Sequence, residues 1–318
     1  MRTGVAAGHV GYFHEAVCYD SDEHLLAVVV PFLLGGVAAG EPTVVALGER
    51  NAGLVRAALP DTGPVIYLTG GDMYARPASA IRTYRRLLAE HVAAGAGQIR
   101  IAGELAPRSF GSTWDWWARY ESAVNHAYDE FPLWSMCAYD VRTTPAPVLE
   151  DVLRTHPRTA LPDGGHRPNR SYLAPAAYLG QPRRPVVDPI ELSPPRADLA
   201  DPTTAEARQA VRAAVDGHLT DQDRDGLVVA VSETVSNARQ HGRGPIRMRL
   251  WSAADRVVVA VTDGGPGPTD PYAGLLPAGR DAGGGLGLWI AHQSCSHVSL
   301  DYHEGGGFTV RLTAGNPP

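Results

Sequence analysis

The stretch "ETVSNARQHG" sets Glu233 and Asn237 four residues apart. On a helix that spacing puts a carboxylate and a carboxamide on one face, one turn apart. Leu227, Val228, Val231 and Val235 precede or interleave with the pair. They would face a sheet and leave the polar pair toward a cleft. Such a pair can hold a hydrated Mg2+ or divide the work as base and metal ligand; an ordinary solvated helix face reads the same way. "VVVAVTDGGPGP" ends a β-branched run on Asp263, followed by Gly264, Gly265 and Gly267. A carboxylate at a strand terminus can accept from an amino group while glycines let a flat ring lie against the backbone. A simple hairpin turn has the same letters. "GGGLGLWIAH" places Gly283, Gly284, Gly285 and Gly287 where an apolar helix would begin. Bare N–H groups there, with the helix dipole behind them, suit phosphate oxygens. "EGGGFTVRLTA" sets three glycines before the last strand, which carries Thr309.

The elements that must position these residues follow from periodicity. "TTAEARQAVRAAVDGHL" and "RDGLVVAVSETVSNARQHG" read as helices. "PIRMRLWS", "RVVVAVTDG", "HVSLDYHE" and "FTVRLTA" read as strands, with a short helix from about Leu286. Short turns between strands predict a mixed or antiparallel sheet with helices on one face, an α/β sandwich. The first half alternates differently: strands "PTVVALG", "PVIYLTG", "QIRIAGEL" and "LWSMCAYD" are separated by helical stretches. That rhythm predicts βαβ units and a parallel sheet. Between the halves, residues 158–198 are proline-rich and lack apolar periodicity, which predicts a linker with "SYLAPAAYL" docked on a neighbour. The expected division is therefore 1–157, 158–198 and 199–318.

Composition sets the limits. The 318 residues suffice for two domains, and 44% hydrophobic with 19% charged residues is ordinary for globular chains. A net charge of −6 argues against a dedicated nucleic-acid binder. Cys18, Cys137 and Cys295 are widely spaced and odd in number, which fits a reducing cytoplasm better than a disulfide scaffold. No signal-peptide pattern opens the chain, and the apolar run Leu25–Gly40, broken by proline and glycine, is short for a span of about 20 residues. A cytoplasmic protein without a membrane segment is expected. "GGVAAGEPT" imitates a phosphate loop, but Glu41–Pro42 stands where Lys–Ser/Thr is required, so Gly40 reads as a helix cap.

Taken in order, the four boxes of the second half resemble the GHKL (Bergerat) ATP-binding fold shared by histidine kinases and anti-sigma factor serine kinases. The "NARQHG" ending and the short span between the glycine boxes are closer to the latter. The resemblance implies Mg2+ on Asn237, adenine on Asp263, and Gly265 and Gly267 admitting the ring. It further implies Gly283, Gly285 and Gly287 around the triphosphate, Thr309 at the nucleotide's far side, and Glu233 as general base. Arg280 would sit in the lid. Implied partners are a sigma factor and an anti-sigma-factor antagonist of STAS type, with ATP and Mg2+ as cofactors and a homodimer as the assembly; no direct nucleic-acid contact is expected. A histidine kinase would need a phosphoacceptor histidine on a helical hairpin just upstream, where the proline-rich segment stands. His218 reads as a helix-end residue.

The first half resembles the MEDS sensory domain, which implies a RecA-like fold without the phosphate-binding lysine. Family-typical positions are His14, Tyr19, Glu104, Tyr120, Tyr139 and Asp140, and His14, Tyr19 and Glu104 are the sensory candidates. Sheet-end packing is the competing role for all of them. Trp114, Trp116 and Trp117 read as core.

Overall fold

The computed structural model describes residues 1–60, 64–68, 76–182, 187–215, 219–277 and 286–316. The chain divides into two compact units, residues 1–75 with 80–179, and residues 76–79 with 180–318.

The first unit is built from β1 (Phe13–Tyr19), α1 (Asp22–Ala38), β2 (Thr43–Ala46), α2 (Glu49–Ala58), β3 (Val65–Tyr67), α3 (Pro77–Ala93), β4 (Ile99–Gly103), α4 (Trp114–Ala127), β5 (Leu133–Asp140), α5 (Ala146–Thr155), β6 (Arg158–Ala160), β7 (His166–Pro168) and α6 (Pro175–Leu179). Its sheet runs β3-β2-β4-β5-β1-β6-β7, parallel throughout except for β7, which pairs antiparallel with β6. Alternation along β1 decides what each face receives. Phe13, Val17 and Tyr19 join the core under α1 and α2, with Val29, Leu33 and Val55. His14 turns the other way and meets Asn125 of α4, its Nδ1 3.0 Å from Asn125 Oδ1. Ser21 caps α1 by accepting from His24 N, and Gly40 closes it at φ +67°. Glu41, which spoils the phosphate-loop pattern, is tied into the fold by Arg100 at 2.6 Å. Trp114, Trp116 and Trp117 are all buried.

The proline-rich stretch differs from a free linker. Residues 158–179 complete the first unit: β6 pairs in parallel with β1, and β7 folds back as the edge. Proline is tolerated there because an edge strand does not need every N–H, and Pro175 opens α6, where the N–H has no helical partner anyway. Tyr178 and Leu179 are buried, and Tyr178 OH donates to Asp151 at 2.6 Å.

The second unit comprises β8 (Ala197–Ala200), α7 (Thr204–Ala214), α8 (Asp221–His241), β9 (Arg247–Ser252), β10 (Arg256–Asp263), α9 (Leu286–Ser294), β11 (His297–Tyr302) and β12 (Phe308–Gly315). The strands form one antiparallel sheet in the order β11-β12-β10-β9-β8. The helices pack on one face through Val211, Leu227, Val231, Val235 and Ala291, against Val257, Val259, Val261, Val310 and Leu312. Thr203 and Thr220 cap α7 and α8 by accepting from the third residue onward. On the other face, Trp251, Val258 and Ala260 are covered by Ile190. The strap carrying Ile190 is held by Asp188 on Arg256 at 2.9 Å, Glu191 on Arg311 at 2.7 Å, and Trp251 Nε1 donating to Ser193 O at 3.0 Å. The sheet therefore has a helical layer on one side and a short irregular cover on the other.

Candidate functional site

In the second unit a cavity of about 350 Å3 lies between α8, the end of β10, α9 and the start of β12. Its size suits a small-molecule ligand. Val261, Leu288, Phe308 and Val310 supply apolar walls, and Asn237 and Asp263 supply polar ends. Apolar walls with a few fixed polar groups suit a flat heterocycle with a charged tail.

Asp263 ends β10 and is buried, with Oδ1 accepting from Gly265 N at 2.6 Å and from Arg243 N at 3.3 Å. Those bonds hold the carboxylate rigid and use one oxygen. Oδ2 takes part in neither bond. Two glycines permit this arrangement by close approach. A Cβ on Gly265 would stand 2.7 Å from Asp263 Oδ1, and one on Gly242 would stand 2.5 Å from Asp263 Cγ. Gly267 adopts φ +70° against the Phe308 ring, which a Cβ would meet at 2.6 Å. What Gly265 and Gly267 avoid in the folded chain is thus first of all protein, and the cavity wall exists because they do.

Glu233 and Asn237 project from α8 toward the amino end of α9. The closeness of that helix is measured at Gly287, where a Cβ would lie 2.8 Å from Asn237 Nδ2 and 3.1 Å from Glu233 Oε2. A Cβ there would have to push the end of one or both side chains aside. Further along, α8 and α9 approach as closely at Gly226, where a Cβ would stand 2.7 Å from Ser294 O. The structure therefore brings together Glu233, Asn237 and Gly287, and across the cavity Asp263, Gly265 and Gly267. Gly283, Gly285, Arg280 and His218 lie outside the described residues.

Thr309 is not at the cavity. It alternates with Phe308 and Val310 on β12, so it points to the opposite face, where its hydroxyl bonds Thr262 Oγ1 at 2.7 Å and His303 Nε2 at 2.9 Å. The two-residue period puts its neighbours, and not Thr309, on the ligand side. Phe308, Val310, Leu288 and Gly242 were missed in the sequence. Parity along β12 was the signal that would have found the first two.

A hydrated Mg2+ and a nucleoside triphosphate fit this donor set. Asn237 offers a neutral oxygen ligand, Glu233 a carboxylate beside it, and the start of α9 offers backbone donors.

The first unit has its own cavity, about 1130 Å3, at the carboxyl ends of β1 to β5. Ligands of open α/β sheets bind at that end. Tyr19 and Glu104 line it and are joined by Asn51, whose amide donates to Tyr19 OH at 2.8 Å and to Glu104 Oε1 at 2.9 Å. Burial raises the Glu104 carboxyl, and burial with the Glu104 charge raises Tyr19 to about 12. Arg50, Arg56 and Arg142 stand around the rim. His14 is not part of this cavity. It is five residues before Tyr19 on β1, hence on the other face.

Two family models match the chain. Residues 13–157 match the model of the MEDS domain, the methanogen/methylotroph DcmR sensory domain. Residues 196–314 match the histidine kinase-like ATPase domain. The chain therefore carries a MEDS domain and a histidine kinase-like, GHKL-type ATPase domain. No curated protein matches it. Among solved structures, the mycobacterial sensor histidine kinase MprB is 21% identical over 38% of this chain and 100% of that one, with a TM-score of 0.27. The histidine kinase domain of the E. coli osmosensor EnvZ is 22% identical over 40% of this chain and 92% of that one, with a TM-score of 0.24. Among the described residues, no helix is long and apolar enough to cross a membrane.

Proposed function

We propose that the second unit binds Mg-ATP and transfers its γ-phosphoryl group to a serine or threonine of an anti-sigma-factor antagonist of STAS type. In this reading the same unit sequesters a sigma factor as a homodimer, and the MEDS domain governs the switch between partners. The observation that supports it most is the approach of Gly287 to Glu233 and Asn237, with Asp263 fixed across the same cavity. Asp263 Oδ2 would take the adenine amino group, and Asn237 would hold the metal. Bound magnesium would draw charge from the phosphate oxygens. Glu233 would accept the proton of the attacking hydroxyl as the new O–P bond forms and the bond to the leaving ADP breaks. Catalysis of this type is mostly positioning and charge neutralisation.

A serine or threonine acceptor is favoured over a histidine on this chain by the segment just before the ATPase unit. Among its described residues it holds a short 3-10 turn (Pro189–Leu192), where a histidine kinase needs a long helical hairpin. Incubation of the chain with radiolabelled ATP and candidate antagonist domains tests the proposal. Acid-stable label on the partner is expected, and Glu233→Ala should abolish it while nucleotide still binds. Acid-labile label on the chain itself would replace the reading with a histidine kinase. Nucleotide-dependent capture of the partner without label would replace it with a binding scaffold.

A further inference from the structure

The face of the first sheet opposite its strand-end cavity buries a second cluster of chemically capable side chains. His14 on β1, Cys137 on β5, Glu121 on α4 and His156 at the end of α5 each present one donor atom, all within 4.8 Å of one another. The fold makes this meeting. His14 pairs with Ser135 across the β1–β5 register, so Cys137, two residues on, shares its face. His14, Glu121 and His156 are buried, and Cys137 is half-buried.

Both imidazoles are held in the same tautomer. Asn125 spends its amide N–H groups on the carbonyls of Glu121, Ser122 and Thr155, which leaves Oδ1 to accept from His14 Nδ1. His156 Nδ1 donates to Val152 O at 2.8 Å. Each ring therefore turns its Nε2 lone pair into the cluster, that of His14 toward Cys137 Sγ, oriented as metal-bound histidines are by their outer partners. His156 Nε2 is fully buried and has no hydrogen-bond partner.

The separations are those of a ligand set: two are too long for hydrogen bonds, and the third is one that a thiol–imidazole hydrogen bond also has. His156 Nε2 to Glu121 Oε2 is 3.6 Å and His14 Nε2 to Glu121 Oε2 is 3.8 Å, both too long for a hydrogen bond. His14 Nε2 to Cys137 Sγ is 3.4 Å. Tetrahedral zinc with bonds of about 2.0–2.3 Å has ligand–ligand edges of roughly 3.3–3.7 Å. We propose that His14, Glu121, Cys137 and His156 are the four ligands of a buried tetrahedral site for a divalent transition metal, zinc foremost. Two imidazoles, one thiolate and one carboxylate leave a divalent ion with no net charge, which a buried site requires. With every position filled by protein, the site is structural in type and ties α4 and α5 to β1 and β5.

The test uses the full chain. Elemental analysis after growth in zinc-supplemented medium should find about one zinc per chain. Cobalt added to the metal-free protein should give the d–d bands of a tetrahedral ion and a thiolate-to-cobalt charge-transfer band. Cys137→Ser, close in size, should abolish the charge-transfer band, and His156→Gln should abolish stoichiometric zinc, with circular dichroism confirming the fold of each. A chelator should lower the melting temperature of the parent and leave that of the variant carrying both Cys137→Ser and His156→Gln unmoved. The proposal fails if the folded parent takes up neither ion stoichiometrically, or if Cys137→Ser retains the full cobalt spectrum.

Discussion

Asp263 is a carboxylate with one oxygen already committed. Replacing it by asparagine keeps the acceptor for Gly265 N and Arg243 N but turns an NH2 toward the cavity. A donor would then face the amine it should receive. We expect Asp263→Asn to weaken ATP binding by about 10- to 100-fold, the worth of one hydrogen bond to a charged group. Calorimetric titration measures it, with circular dichroism as the control. Glu104 gives a prediction of opposite character. Its carboxyl is raised in the folded chain above the ordinary 4.5, mainly by burial. The folded state then binds more protons than the unfolded one over that interval. The stability this contributes is present at low pH and is lost as pH rises through the folded value. Glu104→Gln should therefore raise the melting temperature at neutral pH, and the difference should shrink below about pH 4.5. A variant less stable than the parent at pH 7 would show that ion pairing, not burial, governs Glu104.

Helices α8 and α9 work as a pair, and the glycines between them set their distance. In an isolated helix, Gly→Ala stabilises by roughly 0.5–1 kcal/mol. At Gly287 the added Cβ meets Asn237 and Glu233, so Gly287→Ala should leave helix content undiminished while Mg-ATP affinity drops at least about tenfold, the equivalent of 1.4 kcal/mol. Unchanged affinity would mean that the pair does not serve the nucleotide. At Gly226 the Cβ meets a backbone oxygen, which cannot rotate away. Gly226→Ala should cost about 1–3 kcal/mol of stability through overpacking, read from denaturant unfolding. The hydrophobic pattern announced α8 clearly, with Glu233 and Asn237 one turn apart. It could not tell that Gly287 touches them. That is set by how closely two helices pack, which no local period encodes.

Each of the two units has its own buried core, and the limits of the second are wider than the sequence suggests. A fragment of residues 199–318 lacks the strap that covers Trp251 and half of β8. It also loses Asp188 beside Arg256 and Glu191 beside Arg311. A fragment of residues 180–318 keeps them. The longer fragment should unfold in one cooperative transition and bind ATP, and the shorter one should melt roughly 5–10 °C lower and bind a hydrophobic dye. Equal melting temperatures would show that the strap is ornamental to stability.

Much was legible in the letters. Strands β2 to β5 and β9 to β12, most of the helices between them, and the parallel and antiparallel character of the two sheets follow from periods of 2 and 3.6, whereas β1, β6, β7 and β8 went unread. The tertiary structure decided what depends on facing and distance. It sent Thr309 to the far side of its sheet, and parted His14 from Tyr19 and Glu104. It drew the prolines of 158–179 into an edge hairpin and a helix start, and gathered His14, Glu121, Cys137 and His156 from four elements into one buried cluster. The physical reason is the same in each case. Local periodicity fixes which way a side chain points from its own element, but only the packing of elements fixes what it points at.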